Sequence, residues 1–203
     1  MIFSSLFRTK AKWQHKDTAV RIAAINNELS TDNVEQQLIL TDIIQQDTSD
    51  LVRRAALIKV ASFDCYLTQS QDNSQEKVKQ FAAKQVHDIL AAEHSIVLTT
   101  EQKENLLAKQ AQSPLFSTAI LEAWLANEKD STLIIALYQQ VSARKTTGHL
   151  LSHTFGQKQN AALQAYLLDQ VSDAKILDKL SKKACNEDIA NQNMRMDPIA
   201  STQ

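Results

Sequence analysis

Two glycines and two prolines in 203 residues constrain this chain more than any other feature. A β-sandwich, a barrel or a doubly wound sheet needs turn residues at about every tenth position, and four punctuators cannot supply them. Collagen-like and flexible low-complexity character fail on the same count. Hydrophobic types make up 43% of the chain and charged types 22%, which leaves enough apolar material for a sizeable core. The expectation is an all-α protein.

Helical periodicity recurs along the chain. Val78, Phe81, Ala82, Val86, Ile89 and Leu90 form one apolar stripe, and Phe116, Ala119, Ile120, Ala123 and Trp124 a second. Leu133, Ile134, Leu137, Tyr138 and Val141 make a third, and Leu163, Tyr166, Leu167 and Val171 a fourth. Polar breaks such as Asn127–Asp130 and Ser172-Asp173 end these segments. Asp17, Ser49-Asp50, Ser113-Pro114 and Asp130-Ser131 read as helix starts. About ten helices joined by short turns are expected, with Gln69–Gln75 as a polar loop.

Lys and Arg total 22 against 23 Asp and Glu, a balance that does not favour a nucleic-acid-binding domain. The distribution is uneven. Arg8, Lys10, Lys12, Lys16 and Arg21 face only Asp17 in the opening stretch. Between Arg21 and Arg53 there is no Lys, Arg or His, while Glu28, Asp32, Glu35, Asp42, Asp47 and Asp50 are acidic. Cys65 and Cys185 match no metal or redox spacing and read as reduced core thiols. No apolar run approaches the roughly 20 residues of a membrane span, and the first residues do not form a signal peptide. A cytoplasmic location is expected.

Internal similarity organises the first part of the chain. Val20-Arg21-Ile22-Ala23-Ala24-Ile25 matches Val52-Arg53-Arg54-Ala55-Ala56-Leu57 at an offset of 32. Farther on, Asp130, Leu133, Ile134, Leu137 and Val141 align with Asp173, Ile176, Leu177, Leu180 and Ala184 at an offset of 43. Both offsets suit a two-helix unit, which must bury its apolar face against a neighbour. The segment from Asp17 to Leu29, reading Asp-x-x-Val-Arg-x-x-Ala-x-x-x-x-Leu, resembles the second helix of a HEAT repeat. With Met1-Ile2-Phe3, the Lys12–Asp17 segment and the paired Val-Arg motifs, the chain also resembles the N-terminal region of the bacterial domain-of-unknown-function 349 family. That resemblance implies a HEAT-like α-solenoid, a right-handed superhelical stack of antiparallel helix pairs. Residues 1–16 would be a capping or basic segment, 17–190 the repeat domain, and 191–203 a C-terminal tail or linker. The resemblance also implies a structural ladder in which Arg21 and Arg53 pair with Asp17 and with Asp47 or Asp50. A guanidinium fork suits that task.

Arg54, about 100° round the helix from Arg53, is expected to face solvent. His149 and His153 have i, i+4 spacing but lack the companion Glu of a metalloprotease motif, and His87 and His94 read as polar-face residues. With Gly148 and Gly156 as the whole glycine complement, no phosphate loop or nucleophile elbow can form. Neither cofactor, metal nor catalytic set is implied. The basic segment with Arg8, Lys10, Lys12, Trp13 and Lys16 reads either as a cap over the open end of the stack or as a membrane-surface or nucleic-acid contact. The expected function is a non-catalytic scaffold that binds a protein partner on its concave surface. The chain would be the N-terminal part of a larger bacterial protein, and the partner could be the remainder of that parent chain. Nucleic-acid binding is the alternative, with Arg8, Lys10, Lys12, Lys16, Arg54 and the lysines Lys175, Lys179, Lys182 and Lys183 on one surface.

Overall fold

Polar residues placed ahead of apolar stripes set most of the helix starts. The structure, a computed structural model, describes residues 11–72, 75–144, 151, 154–156 and 160–195. Among these every regular element is helical and no strand occurs. No helix of the described residues is long and apolar enough to cross a membrane. The chain divides into two compact units, Met1–Ile89 with Glu93–Val97, and Leu90–Ala92 with Leu98–Gln203.

The first unit opens with a 3₁₀ turn at Lys12–Gln14, followed by α1 (Thr18–Glu28), α2 (Val34–Gln46), α3 (Asp50–Val60), α4 (Phe63–Gln71) and α5 (Glu76–Leu90). Asp17 caps α1 by accepting the Ala19 N–H, and Asn33 caps α2 by accepting that of Gln36. Ser49 holds the position before α3 without a side-chain bond. Its own N–H is taken by Asp47, 2.8 Å away. Helix α3 packs against both α1 and α2. Ala24 and Ala56, equivalent in the repeat, are both buried, and their small side chains suit the close approach of α1 to α3. Helix α5 repeats the spacing of these buried positions. In α5, Val78-Lys79-Gln80-Phe81-Ala82 places buried Val78 and Ala82 where α3 has Val52 and Ala56, with Lys79 in the arginine position. The expected loop from Gln69 to Gln75 begins later, because α4 runs through Gln71 and Gln69 is buried.

Helix α3 ends on Ala61 in the left-handed conformation, φ 48° and ψ 47°, a position that favours glycine. Ala61→Gly is therefore expected to stabilise the first unit by about 0.5–1 kcal/mol, read as a higher urea midpoint at unchanged slope.

The second unit contains α6 (Thr100–Gln112), α7 (Thr118–Asn127), α8 (Ser131–Ser142), α9 (Ala161–Leu168), α10 (Ala174–Ser181) and α11 (Glu187–Arg195). Helix α8 packs against α6, α7 and α9, and α11 against α9 and α10. Thr99 and Gln102 form a reciprocal capping box at the start of α6. Asp130 and Asp173, equivalent at the offset of 43, cap α8 and α10 in the same way, each accepting two backbone N–H groups. Two expectations are corrected here. Helix α7 starts at Thr118 behind the cap Ser117, not at Ser113-Pro114, because Gln110 accepts the Leu115 and Phe116 N–H groups (2.6 and 2.8 Å) and holds that link out of helix. The buried face of α7 is Leu121, Trp124 and Leu125, while Ala119 is exposed and Ile120 half-buried. Of the expected stripe Phe116 and Trp124 are buried, and Leu121 and Leu125 complete the face in place of Ala119, Ile120 and Ala123.

Candidate binding surfaces

Arginines at equivalent positions of α1 and α3 each reach a polar residue that follows in the chain. Arg21 grips Asp47 with two parallel bonds, Nε to Oδ2 at 2.8 Å and Nη2 to Oδ1 at 2.9 Å, and both side chains are only 11% exposed. Its Nη1 donates to the carbonyls of His15 and Lys16, tying down the turn ahead of α1. Arg53 is buried and donates from Nη2 to Gln69 Oε1 at 2.9 Å and to Asp72 Oδ2 at 3.4 Å, while its Nε has no hydrogen-bond partner among the described residues. Asp17 and Asp50 are elsewhere. The Asp17 carboxylate is engaged as the α1 cap, and Asp50 sits in the first turn of α3, where a negative charge suits the helix dipole.

The basic residues do not form a free patch in the described part of the first unit. Lys12 is paired with Glu28, and Lys16 is exposed. Arg54 does not simply face solvent. Its guanidinium lies 4.7 Å from the centre of the Phe81 ring, and its Nε is buried without a hydrogen-bond partner. Arg8, Lys10, His149 and His153 lie outside the described residues. In the second unit Lys182 pairs with Asp178, and Lys175, Lys179 and Lys183 are exposed. His87 lies beside Asp88. His94 is not a simple polar-face residue, since its ring meets the edge of Tyr66. Cys65 and Cys185 are free but half-buried rather than core.

Two grooves mark the first unit. One, of about 320 Å³, runs between α1 and α3 and is lined by Ile22, Asn26, Leu51, Arg54, Ala55 and Ile58. Leu51 is 53% exposed and Ile58 58%. Lys59 crosses from α3 to donate to the Asn26 carbonyl at 2.9 Å. The other groove, of about 560 Å³, lies between the 3₁₀ turn and α2.

The sequence reading missed the buried polar groups of the second unit. Glu128, 5% exposed at the end of α7, accepts from Lys103 Nζ at 2.8 Å, Trp124 Nε1 at 3.0 Å, and the backbone N–H groups of Lys129 and Asp130. Burial alone would push this carboxyl up. The Lys103 ammonium and the three N–H donors outweigh it and hold the group down at about 2. Gln164 is fully buried, donating to the Phe155 and Lys183 carbonyls and accepting the Cys185 N–H at 2.8 Å. A glutamate in the polar break that ends an apolar stripe, four positions after a tryptophan, was the available signal for the first. Nothing local marks the second. Burial, and the neighbouring Cys65 and Tyr166 respectively, push the Tyr66 and Tyr138 phenols up.

Among the described residues no three His, Cys, Asp or Glu side chains come together as metal ligands. Compared with known proteins, this chain matches no family model, no curated protein and no solved structure.

Proposed function

We propose that this chain is a non-catalytic, HEAT-like scaffold whose helix pairs stack as a right-handed α-solenoid and bind a protein partner on a concave surface. The groove between α1 and α3 carries the reading: equivalent helices of successive pairs leave Leu51 and Ile58 more than half exposed along it. Aliphatic side chains lined up this way gain about 25 cal/mol per Å² when a partner covers them. The resemblance to the domain-of-unknown-function 349 family supports placing the chain at the N-terminal side of a larger bacterial protein. Nucleic-acid binding draws less support, because Lys12 is paired with Glu28 and Arg54 lies on Phe81.

The test is capture by the chain from a cell extract, with Leu51→Asp and Ile58→Asp variants alongside. A protein held by the wild type and lost about tenfold or more by both variants, at unchanged thermal midpoints, supports the scaffold. Capture of RNA or DNA that collapses with salt would replace it with the nucleic-acid reading.

A further inference from the structure

The larger groove of the first unit has a character of its own. Trp13 and His15 form one wall and Leu38 and Asp42 of α2 the other, above the Arg21–Asp47 pair. Leu38 is 66% exposed, and Val34, one turn earlier on the same helix, 71%. Two large aliphatic residues at i, i+4 facing water form an apolar stripe that nothing in the described unit covers.

The charge along α2 is one-sided, while the opposite wall carries His15 with the exposed Lys16 next to it. The Arg21 guanidinium is consumed by Asp47 and two backbone carbonyls, so the basic group beneath the groove is neutralised where it stands. Asp42 and Glu35 are exposed and make no hydrogen bond or ion pair among the described residues. They stand seven positions apart on α2, close to two turns or about 10 Å, with Leu38 between them. No Lys, Arg or His occurs between Arg21 and Arg53 to offset them. The resulting surface reads acidic, apolar, acidic along one helix, with an aromatic ring across the groove.

We propose that this groove docks a basic amphipathic segment of a partner protein. A leucine-like side chain of that segment lies between Trp13 and Leu38, and two Lys or Arg residues about two turns apart pair with Asp42 and Glu35. Trp13 offers its ring face to one of the cations. A second copy of this chain is a poor occupant, because two acidic stripes would oppose each other. A nucleic acid is poorer still, for the same electrostatic reason. The surface is separate from the α1/α3 groove, so its failure and that of the scaffold reading can be told apart.

The probe is a fluorescein-labelled helical peptide of about 14 residues, with lysines seven apart and leucines between them. Its partners in the experiment are a Lys→Glu version and a Leu→Ser version. Fluorescence anisotropy against the full chain, at about 20 and about 200 mM salt, should show micromolar-range binding of the first peptide. The Glu version should not bind, and the Ser version should bind about tenfold more weakly. Asp42→Lys and Leu38→Ser in the chain should each weaken binding about tenfold, while Leu51→Asp leaves it unchanged. Asp64→Lys is the control for overall charge. It makes the same charge change at an exposed site on α4 and should shift affinity less than about twofold. Helical circular dichroism establishes that each variant is folded. Equal losses from Asp64→Lys and Asp42→Lys would mean a diffuse field and no site. No binding of the Lys/Leu peptide, insensitivity to Leu38→Ser, or a dimer in sedimentation that Leu38→Ser dissociates would each overturn the proposal.

Discussion

Glu128→Gln is expected to lower the stability of the second unit by about 3 kcal/mol at neutral pH, the largest effect of any conservative change in that unit. The glutamine imitates the protonated carboxyl. Its single carbonyl oxygen can still accept from the Lys129 and Asp130 N–H groups, but its amide NH2 then faces the Trp124 indole and the Lys103 ammonium, and the charge that those donors are arranged around is lost. Folding lowers this carboxyl from its ordinary value of 4.5 to about 2. A depressed carboxylate contributes its stability above the unfolded value and loses it as pH falls toward the folded one. The wild-type unit should therefore lose the same increment between about pH 5 and pH 2, and Glu128→Gln should be flat across that window as far as this group is concerned. The chain has two tryptophans, and one of them, Trp124, donates directly to Glu128. Urea unfolding followed by tryptophan emission in a Trp13→Phe background isolates the signal. A wild-type profile no steeper than that of Glu128→Gln over this range would show that the buried carboxylate contributes nothing.

Asp47→Ala is expected to cost the first unit about 3 kcal/mol or more. The change strands a guanidinium that is nearly buried and also removes the acceptor of the Ser49 N–H at the entrance to α3. Arg21→Lys keeps the charge but not the fork, and should cost less, about 1–2 kcal/mol. Removing both partners together, as Arg21→Met with Asp47→Leu, should recover a large share of the loss, because no buried charge is left without a counterpart. Urea unfolding by far-ultraviolet circular dichroism of the wild type, Arg21→Met, Asp47→Leu and the double variant gives the coupling energy directly. A value below about 0.5 kcal/mol would mean that the pair is incidental to the packing of α1, α2 and α3. The same pair forms the base of the acidic groove, so the double variant also asks whether that groove survives without an ionic floor.

Much of the local structure was legible. Asp17, Asp130 and Asp173 are caps because a short carboxylate ahead of an apolar stripe can reach the orphan N–H groups of the first turn, wherever the helix ends up. The repeat of Val20-Arg21 at Val52-Arg53 placed two equivalent helices that do pack together. The same spacing of a buried Val and Ala recurs in α5, with Lys79 in the arginine position and Phe81 in that of an alanine. Helix phase was less secure where almost every residue is apolar. In α7, Ile120 and Leu121 are interchangeable by hydropathy, and only the packed structure shows that Leu121 is the buried one.

The scarcity of glycine and proline, the periodic apolar stripes and the capping residues determined by themselves that this chain is helical and where α1, α3 and α8 begin. These are properties of residues within a few positions of one another, set by backbone sterics and hydrogen bonds of short reach. Only the tertiary structure decided that Arg21 belongs to Asp47, 26 positions away, that Arg53 belongs to Gln69 and Asp72, and that Arg54 lies on Phe81. It alone buried Glu128 between Lys103 and Trp124. A guanidinium or a carboxylate can pair with any opposite group that packing brings within about 3 Å, and the order of residues along a chain does not specify which one that will be.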